Sequence, residues 1–489
     1  MALSEVEAGF LHELSESGLN NPVKIAEAEE VLVDDDGKLK RTGTVWTGCA
    51  HIITTSIGAG VLSLAWAMAQ LGWLAGIFIL LFCTFTAGYA ATLLADCYRF
   101  PDPVLGKRNY SYMEAVKVYL DISICGTMHK IGGWILYLDL ATIGVGFTIT
   151  TAKSLVAIQK SNCHRKNGED TPCMFSYIPH MVGFALVEIL LSQLPNFHKL
   201  TWLSKLAAIM SFVYATIGIG LSLAKIISGD GGKTFLAGED QSSSEKIWMM
   251  FIAAGDIAFA CSYALVQFEI QDTLKSSPAE NKVMKKVVVI GGLTMTVFFM
   301  MCSSLGYAAF GNKTPENLLA GFGDDMPWAF WLLDIANFCI VVHIVGAFQV
   351  LCQPVFRIVE VLAGRRWPKS DFVTKENLVR LGNMKFSINM FRLTWRTSFV
   401  VLATVIAMAM PFFTDMLALL GAIGYWPLIV YIPIEMHIVQ NKIQKQSLHW
   451  FGLQLLSFLC FLLSLAAASG SIYGLHKGLG AYKLFQARE

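Results

Sequence analysis

The chain has 489 residues, 55% of them hydrophobic and 15% charged, with a mean hydropathy of +0.54. Soluble domains carry about 25% charged residues, so this composition describes a polytopic membrane protein. A net charge of +1 gives no basic field for nucleic acid. The 11 cysteines form no CxxC pair or Cys/His ligand set, and no GxxxxGK[ST] run supports a P-loop pump.

Residues 1–45 are polar and acidic, with Glu27, Glu29, Glu30 and the run Asp34-Asp35-Asp36. They hold no apolar core of a signal peptide and predict a mobile cytoplasmic tail. Eleven hydrophobic spans follow, at about 46–71, 73–97, 131–158, 177–194, 200–227, 247–270, 286–310, 327–354, 396–413, 415–439 and 448–475. Arginine and lysine concentrate in segments 98–130 and 355–395, which the positive-inside rule assigns to the cytoplasm. Residues 476–489 are then an extracellular tail. Cys163 and Cys173 fall in an exterior loop, where an oxidising compartment favours a disulfide between them.

The first span has an unusual centre, Thr54-Thr55-Ser56-Ile57-Gly58-Ala59-Gly60-Val61-Leu62-Ser63. Paired glycines allow the backbone to leave helical geometry and let a ligand approach it. A break at membrane depth frees N–H and C=O groups, which is tolerable only beside protein or a watery cavity. The alternative is a small-residue packing face between helices. The sixth span repeats the pattern: Gly255-Asp256-Ile257-Ala258-Phe259-Ala260-Cys261-Ser262 places glycine, small residues and a carboxylate at its middle. Spans one and six run in opposite directions. Two interrupted helices in corresponding places predict a 5+5 inverted repeat with a site at its interface and span eleven as an addition.

Ile57 to Ala67, followed by Gln70-Leu71-Gly72-Trp73, resembles the first span of plant amino acid permeases. Leu94 to Arg99 and Gly106 to Tyr110 resemble the following loop, and Gln193 to Leu200 the turn before span five. Gly255 to Ala260, Glu269 to Leu274, Gly306 to Gly311 and Ile432 to His437 extend the likeness from about residue 40 to the end. The resemblance implies the amino acid/auxin permease family and an all-α, leucine-transporter-type fold. It implies proton-coupled import of amino acids, neutral and acidic ones preferred, across the plasma membrane by alternating access. The proton is the coupling ion, and no cofactor or metal is implied. Oligomeric state is left open. Departures from the family pattern are Asp139, Lys153, Lys205, Cys261 and Gln267.

By analogy with that fold, Gly58, Ala59 and Gly60, with Ile57 and Val61 beside them, offer backbone N–H groups to the substrate carboxylate. Ala258, Phe259 and Ala260 line the opposite wall. Asp256 either attracts the ammonium group or carries a proton; the structural alternative is a carboxylate bonded to freed N–H groups. His51, two turns before Gly58, and His343 in span eight are proton-coupling candidates, each equally readable as a neutral interhelical histidine. Asn337 is a substrate contact, and Asp334 on the same face a structural group. Lys153 and Glu188 are opposite charges in neighbouring spans. Glu269 and Lys275 are a gate or flanking charges, and Trp66, Trp73, Trp328 and Trp331 are interface anchors. An auxin-type carrier and a non-transporting amino acid sensor are the rival readings. An enzyme is disfavoured, because GxSxG, HExxH and catalytically spaced aspartate pairs do not occur.

Overall fold

The computed structural model describes residues 33–37, 40–58, 60–121, 127–167, 173–193, 201–237, 243–381, 384–409 and 413–481. Helix α1 spans Val45–Ser56, opened by a reciprocal cap between Thr44 and Thr47. After a two-residue interruption and the undescribed Ala59, α2 runs Gly60–Asp96 and contains a reversal at Gly72 (φ 74°, ψ 176°). Glycine alone takes that φ without a Cβ penalty, and it separates expected spans one and two. A two-stranded ribbon, β1 (Arg99–Phe100) and β2 (Lys107–Arg108), leads to α3 (Tyr112–Leu120).

The next helices are α4 (Met128–Asn167), α5 (Ile178–Ser192), α6 (Thr201–Ile227) and α7 (Ser243–Ala260). Helix six is interrupted after Ala260. Its second half is a 3₁₀ turn, Tyr263–Val266, and the short α8, Gln267–Gln271. Then come α9 (Glu280–Phe310) and α10 (Phe330–Arg366). An antiparallel hairpin, β3 (Glu376–Leu381) with β4 (Met384–Asn389), occupies part of the basic segment 355–395. Helix α11 is Met390–Ala409, α12 is Phe413–Gly424, a π-helical segment covers Tyr425–Tyr431, α13 is Ile432–Gln440 and α14 is Leu448–Ala481.

Each of the eleven expected segments contains helix. Among the described residues nine stretches are long and apolar enough to cross a membrane. The first half of span one has 12 helical residues and span four has 15, below that length. Leu74, Phe78 and Phe85 on α2, Leu293 and Val297 on α9, and Phe458 and Leu465 on α14 are exposed on the outer surface. Such an apolar belt fits hydrocarbon rather than water. Cys163 and Cys173 are disulfide-bonded.

The acidic run expected in a mobile tail is tied down at the opposite end of the bundle. Arg41 reaches Asp34 at 3.0 Å, Asp36 at 2.8 Å and Asp272 at 2.6 Å. Burial opposes its charge, yet Asp36 and Asp272 outweigh that and raise the guanidinium pKa above its ordinary value. Asp35 pairs with Arg99 and Arg108, which also hold Glu280 at 2.7 and 2.8 Å. Gly43 pairs with Thr273 and Lys275 through backbone hydrogen bonds of 2.9 and 3.0 Å. The entrance to helix one and the exit of helix six are thereby fastened together.

Candidate functional site

The break in helix one is a built feature. Helix α1 ends where Ile57 turns out of helical geometry (φ −80°, ψ 69°), and the next helix starts at Gly60. The freed carbonyls have partners on α6. Tyr214 donates to Ile57 O at 2.7 Å and lies 3.1 Å from Gly58 O, and Ser211 Oγ lies 3.0 Å from Ile57 O. Thr54 donates to Ser204 O at 2.9 Å one turn earlier. Neither Ser211 nor Tyr214 stood out in the sequence, since a serine and a tyrosine in an apolar helix carry no distinctive spacing.

His343 closes the same corner. Its Nδ1 lies 2.8 Å from Ser211 Oγ and 3.1 Å from Ala207 O. Its Nε2 is buried without a hydrogen bond and faces Gly58, where an added Cβ would stand 3.6 Å away. A donating Nδ1–H lets the Ser211 hydroxyl donate its own hydrogen bond to Ile57 O, leaving Nε2 as the ring's lone-pair nitrogen. His51, on α1, is also buried.

Across the cleft, Gly60 packs on the Phe259 ring, 3.3 Å from a would-be Cβ. Asp256, wholly buried on α7, meets Ser63 of α2 at 2.9 Å, and Ser63 Oγ also lies 2.8 Å from Gly60 O. The carboxylate therefore takes a side-chain hydroxyl as partner, where freed N–H groups were the structural alternative. Gln267 and Gln271 on α8 donate to Ala91 O and Ala95 O at 2.8 and 2.9 Å. Two amides one turn apart thus clip the second half of helix six onto α2.

Gly58, Gly60, Phe259 and Ala260 line a cavity of about 30 Å³, together with Thr55, Ser56, Ile143, Phe147, Ser262, Leu265 and Leu351. That is room for about one water molecule, so the halves are closed on each other. Ile57, Val61 and Ala258 are buried and are not among the lining residues, and Ala59 lies outside the described residues. Asn337 donates to Leu333 O of its own helix and is not among the lining residues. Glu188 accepts from Gln349 at 2.6 Å, and Lys205 is exposed. Among the described residues no group of three or more His, Cys, Asp or Glu is placed to hold a metal ion.

Two interrupted helices side by side, the first resuming as α2 and the second through a 3₁₀ turn and the short α8, define a class of transporter. The fold is similar to that of MhsT in complex with L-phenylalanine (TM-score 0.54, 9% identity, covering 89% of this chain and 100% of that one). It is also similar to Mhp1, a nucleobase-cation-symport-1 family transporter in a closed conformation with bromovinylhydantoin bound (TM-score 0.51, 11% identity, covering 91% and 95%). These are transporters of the leucine-transporter fold. More particularly, residues 41–477 match the model of the transmembrane amino acid transporter protein family, and the chain belongs to that family. Amino acid permease 6 of Arabidopsis thaliana is 53% identical over 464 residues, covering 93% of this chain and 95% of the relative. Amino acid permease 1 of the same plant is 49% identical over 490 residues, covering 98% of each. These relatives are permeases rather than enzymes.

Proposed function

We propose that this chain is a proton-coupled symporter that imports amino acids, neutral and acidic ones preferred, across the plasma membrane. The observation that carries the reading is the junction of the two interrupted helices, where Ser63 touches both Gly60 O and Asp256. A hydroxyl has one proton and cannot donate to both acceptors at once. With Gly60 O taking it, the contact to Asp256 is a hydrogen bond only when Asp256 itself carries a proton. A proton on Asp256 thus lets the joint between helix six and helix one coexist with the Ser63–Gly60 bond, and its loss draws the Ser63 proton to Asp256 and away from Gly60 O, beside the substrate cleft.

In this reading the substrate carboxylate docks on backbone N–H groups at the start of α2, around Gly58, Ala59 and Gly60. The ammonium group and side chain face Phe259 and Ala260. His343, with Nε2 on Gly58, and His51 are the further proton-coupling candidates. Spans one to five and six to ten form the inverted repeat, with α14 added. The end holding Arg41 and Asp272 is cytoplasmic, and the C-terminus is extracellular. Alternating access then opens either end in turn, driven by about 2.3 kcal/mol per proton charge per 100 mV and by the pH difference. Uptake of labelled amino acids by cells displaying the chain, with and without a protonophore, tests it. Uptake that is saturable, promoted by external acid and abolished by the protonophore is expected. Uptake indifferent to both would overturn the proton-coupled reading.

A further inference from the structure

Asp139 lies outside the cleft but shares a helix face with it. Ile143 and Phe147, one and two turns further along α4, are cleft-lining residues. Each four-residue step is about 6 Å of helix. Asp139 is 3% exposed. Among the described residues no protein hydrogen bond or ion pair reaches it, and its Oδ1 is fully enclosed. It meets backbone instead: a methyl group added at Gly424 would sit 3.1 Å from Oδ2 and 3.4 Å from Oδ1. Gly424 ends α12, and the π-helical segment Tyr425–Tyr431 follows directly. Such segments recur at functional sites.

Several ionisable groups on the surrounding elements have partners of their own. The Tyr425 hydroxyl contacts Thr86 and lies 3.0 Å from Cys83 O, and Tyr112 donates to Leu428 O. Glu188 on α5 accepts from Gln349, and Arg396 on α11 pairs with Glu360 of α10. Cys352 lies against Gly144. Glu269 and Arg357 act electrostatically on Tyr137, two residues before Asp139 on α4. An ionised carboxylate enclosed without cation or donor is strongly disfavoured, so this position calls for a positive charge from solution.

Helix α12 also links Asp139 to the moving part of the site. One turn before Gly424, Gly421 crosses α7 so closely that an added Cβ would stand 2.0 Å from Gly255 O and 2.5 Å from Phe259 N. A shift of helix six therefore presses on α12, and α12 forms the wall over the carboxylate.

We infer that Asp139 is a second proton-binding site, between spans three and ten, where a proton is released toward the Arg41 end as that end opens. This rests on the proton-coupled reading above and deepens it. The chemistry is one acid–base step: an O–H bond at a carboxylate oxygen breaks, the proton passes to water, and the carboxylate is left ionised until the next proton arrives.

The test is labelled uptake at fixed acidic external pH while internal pH is lowered. A release site stalls when its proton cannot leave, so wild-type uptake is expected to fall, by up to about tenfold per pH unit for one titrating group. Asp139→Asn keeps the side-chain shape and is expected to lose this internal response while keeping the external one. An unaltered internal response in that variant, or none in the wild type, overturns the inference and leaves symport standing. Loss of external pH dependence in the wild type overturns both. Should Asp139→Asn fail to reach the surface, Gly424→Ala presses a methyl onto the carboxylate without removing it. It is expected to move the midpoint of the internal response, and an unmoved midpoint overturns the inference.

Discussion

Ser63 and Asp256 join the two interrupted helices through a contact of 2.9 Å between residues that are both fully buried. Because Gly60 O competes for the same hydroxyl proton, the joint reports on the protonation of Asp256. Asp256→Asn is expected to keep the joint, since its amide donates permanently to Ser63. Transport should then lose its dependence on external pH and fall at least tenfold. Ser63→Ala should weaken the joint by about 1–3 kcal/mol, the usual range for a buried bond involving an ionisable group, and lower substrate affinity. Uptake against external pH for both variants checks this pair.

His343 sits where the carbonyls of the first break are satisfied. Replacing it with glutamine retains a donor toward Ala207 and Ser211 but removes the imidazole Nε2 that faces Gly58. Maximal uptake should fall several-fold with the protein still at the surface. Ser211→Ala leaves the Tyr214 bond to Ile57 O intact and should be milder. Kinetic constants of the two variants, normalised to surface protein, distinguish a proton role from simple packing.

The Arg41 cluster holds the entrance of helix one to the exit of helix six. Breaking a buried pair leaves uncompensated charge, at a cost of about 3–5 kcal/mol. Arg41→Ala should lower thermal stability in detergent and expose a cysteine placed at Gly58 to a polar thiol reagent from the Arg41 end. Wild-type protection of that cysteine would deny the clamp a role in closure.

Acid should release the strap of residues 34–36. Burial raises the pKa of Asp35, but hydrogen bonds from Arg99 and Arg108 outweigh it and leave the carboxyl below its ordinary value. A carboxylate with a depressed folded pKa adds stability above its unfolded pKa and loses it as pH falls through the folded value. The Asp35 pairs are thus fully held at neutral pH and let go only below about pH 4. Limited proteolysis near residue 36 across that range follows it. Release already at neutral pH would contradict the ion-pair account.

The Cys163–Cys173 disulfide closes a short loop at the opposite end. Chain entropy for a loop of this size gives about 3 kcal/mol. The Cys163→Ser, Cys173→Ser double variant should melt several degrees lower than the oxidised protein, and reductant should affect only the latter.

The sequence displayed the parts of this site that break local rules. Gly58 and Gly60 inside an apolar run announced the first interruption, and the small residues around Asp256 the second. The second break falls later than that pattern centres it, after Ala260, because Cys261 and Ser262 are where helical geometry gives way. Partners set by tertiary packing were not legible. Ser211, Tyr214 and Gln267 acquire meaning only once α6 and α8 lie against the breaks. The docking of Asp34, Asp35 and Asp36 was hidden for a similar reason: three adjacent acids read as solvated until Arg41, Arg99 and Arg108 are brought to one place. Asn337 shows the converse, a polar residue on an inviting helix face that bonds to its own backbone.

The most direct test is the current evoked by amino acids under voltage clamp in cells carrying the chain at their surface, at acidic and neutral external pH. The symport account predicts inward current that requires an amino acid, saturates with it and grows with acidity, for neutral as well as acidic substrates. Tracer uptake of a neutral amino acid with no accompanying current at either pH would contradict it.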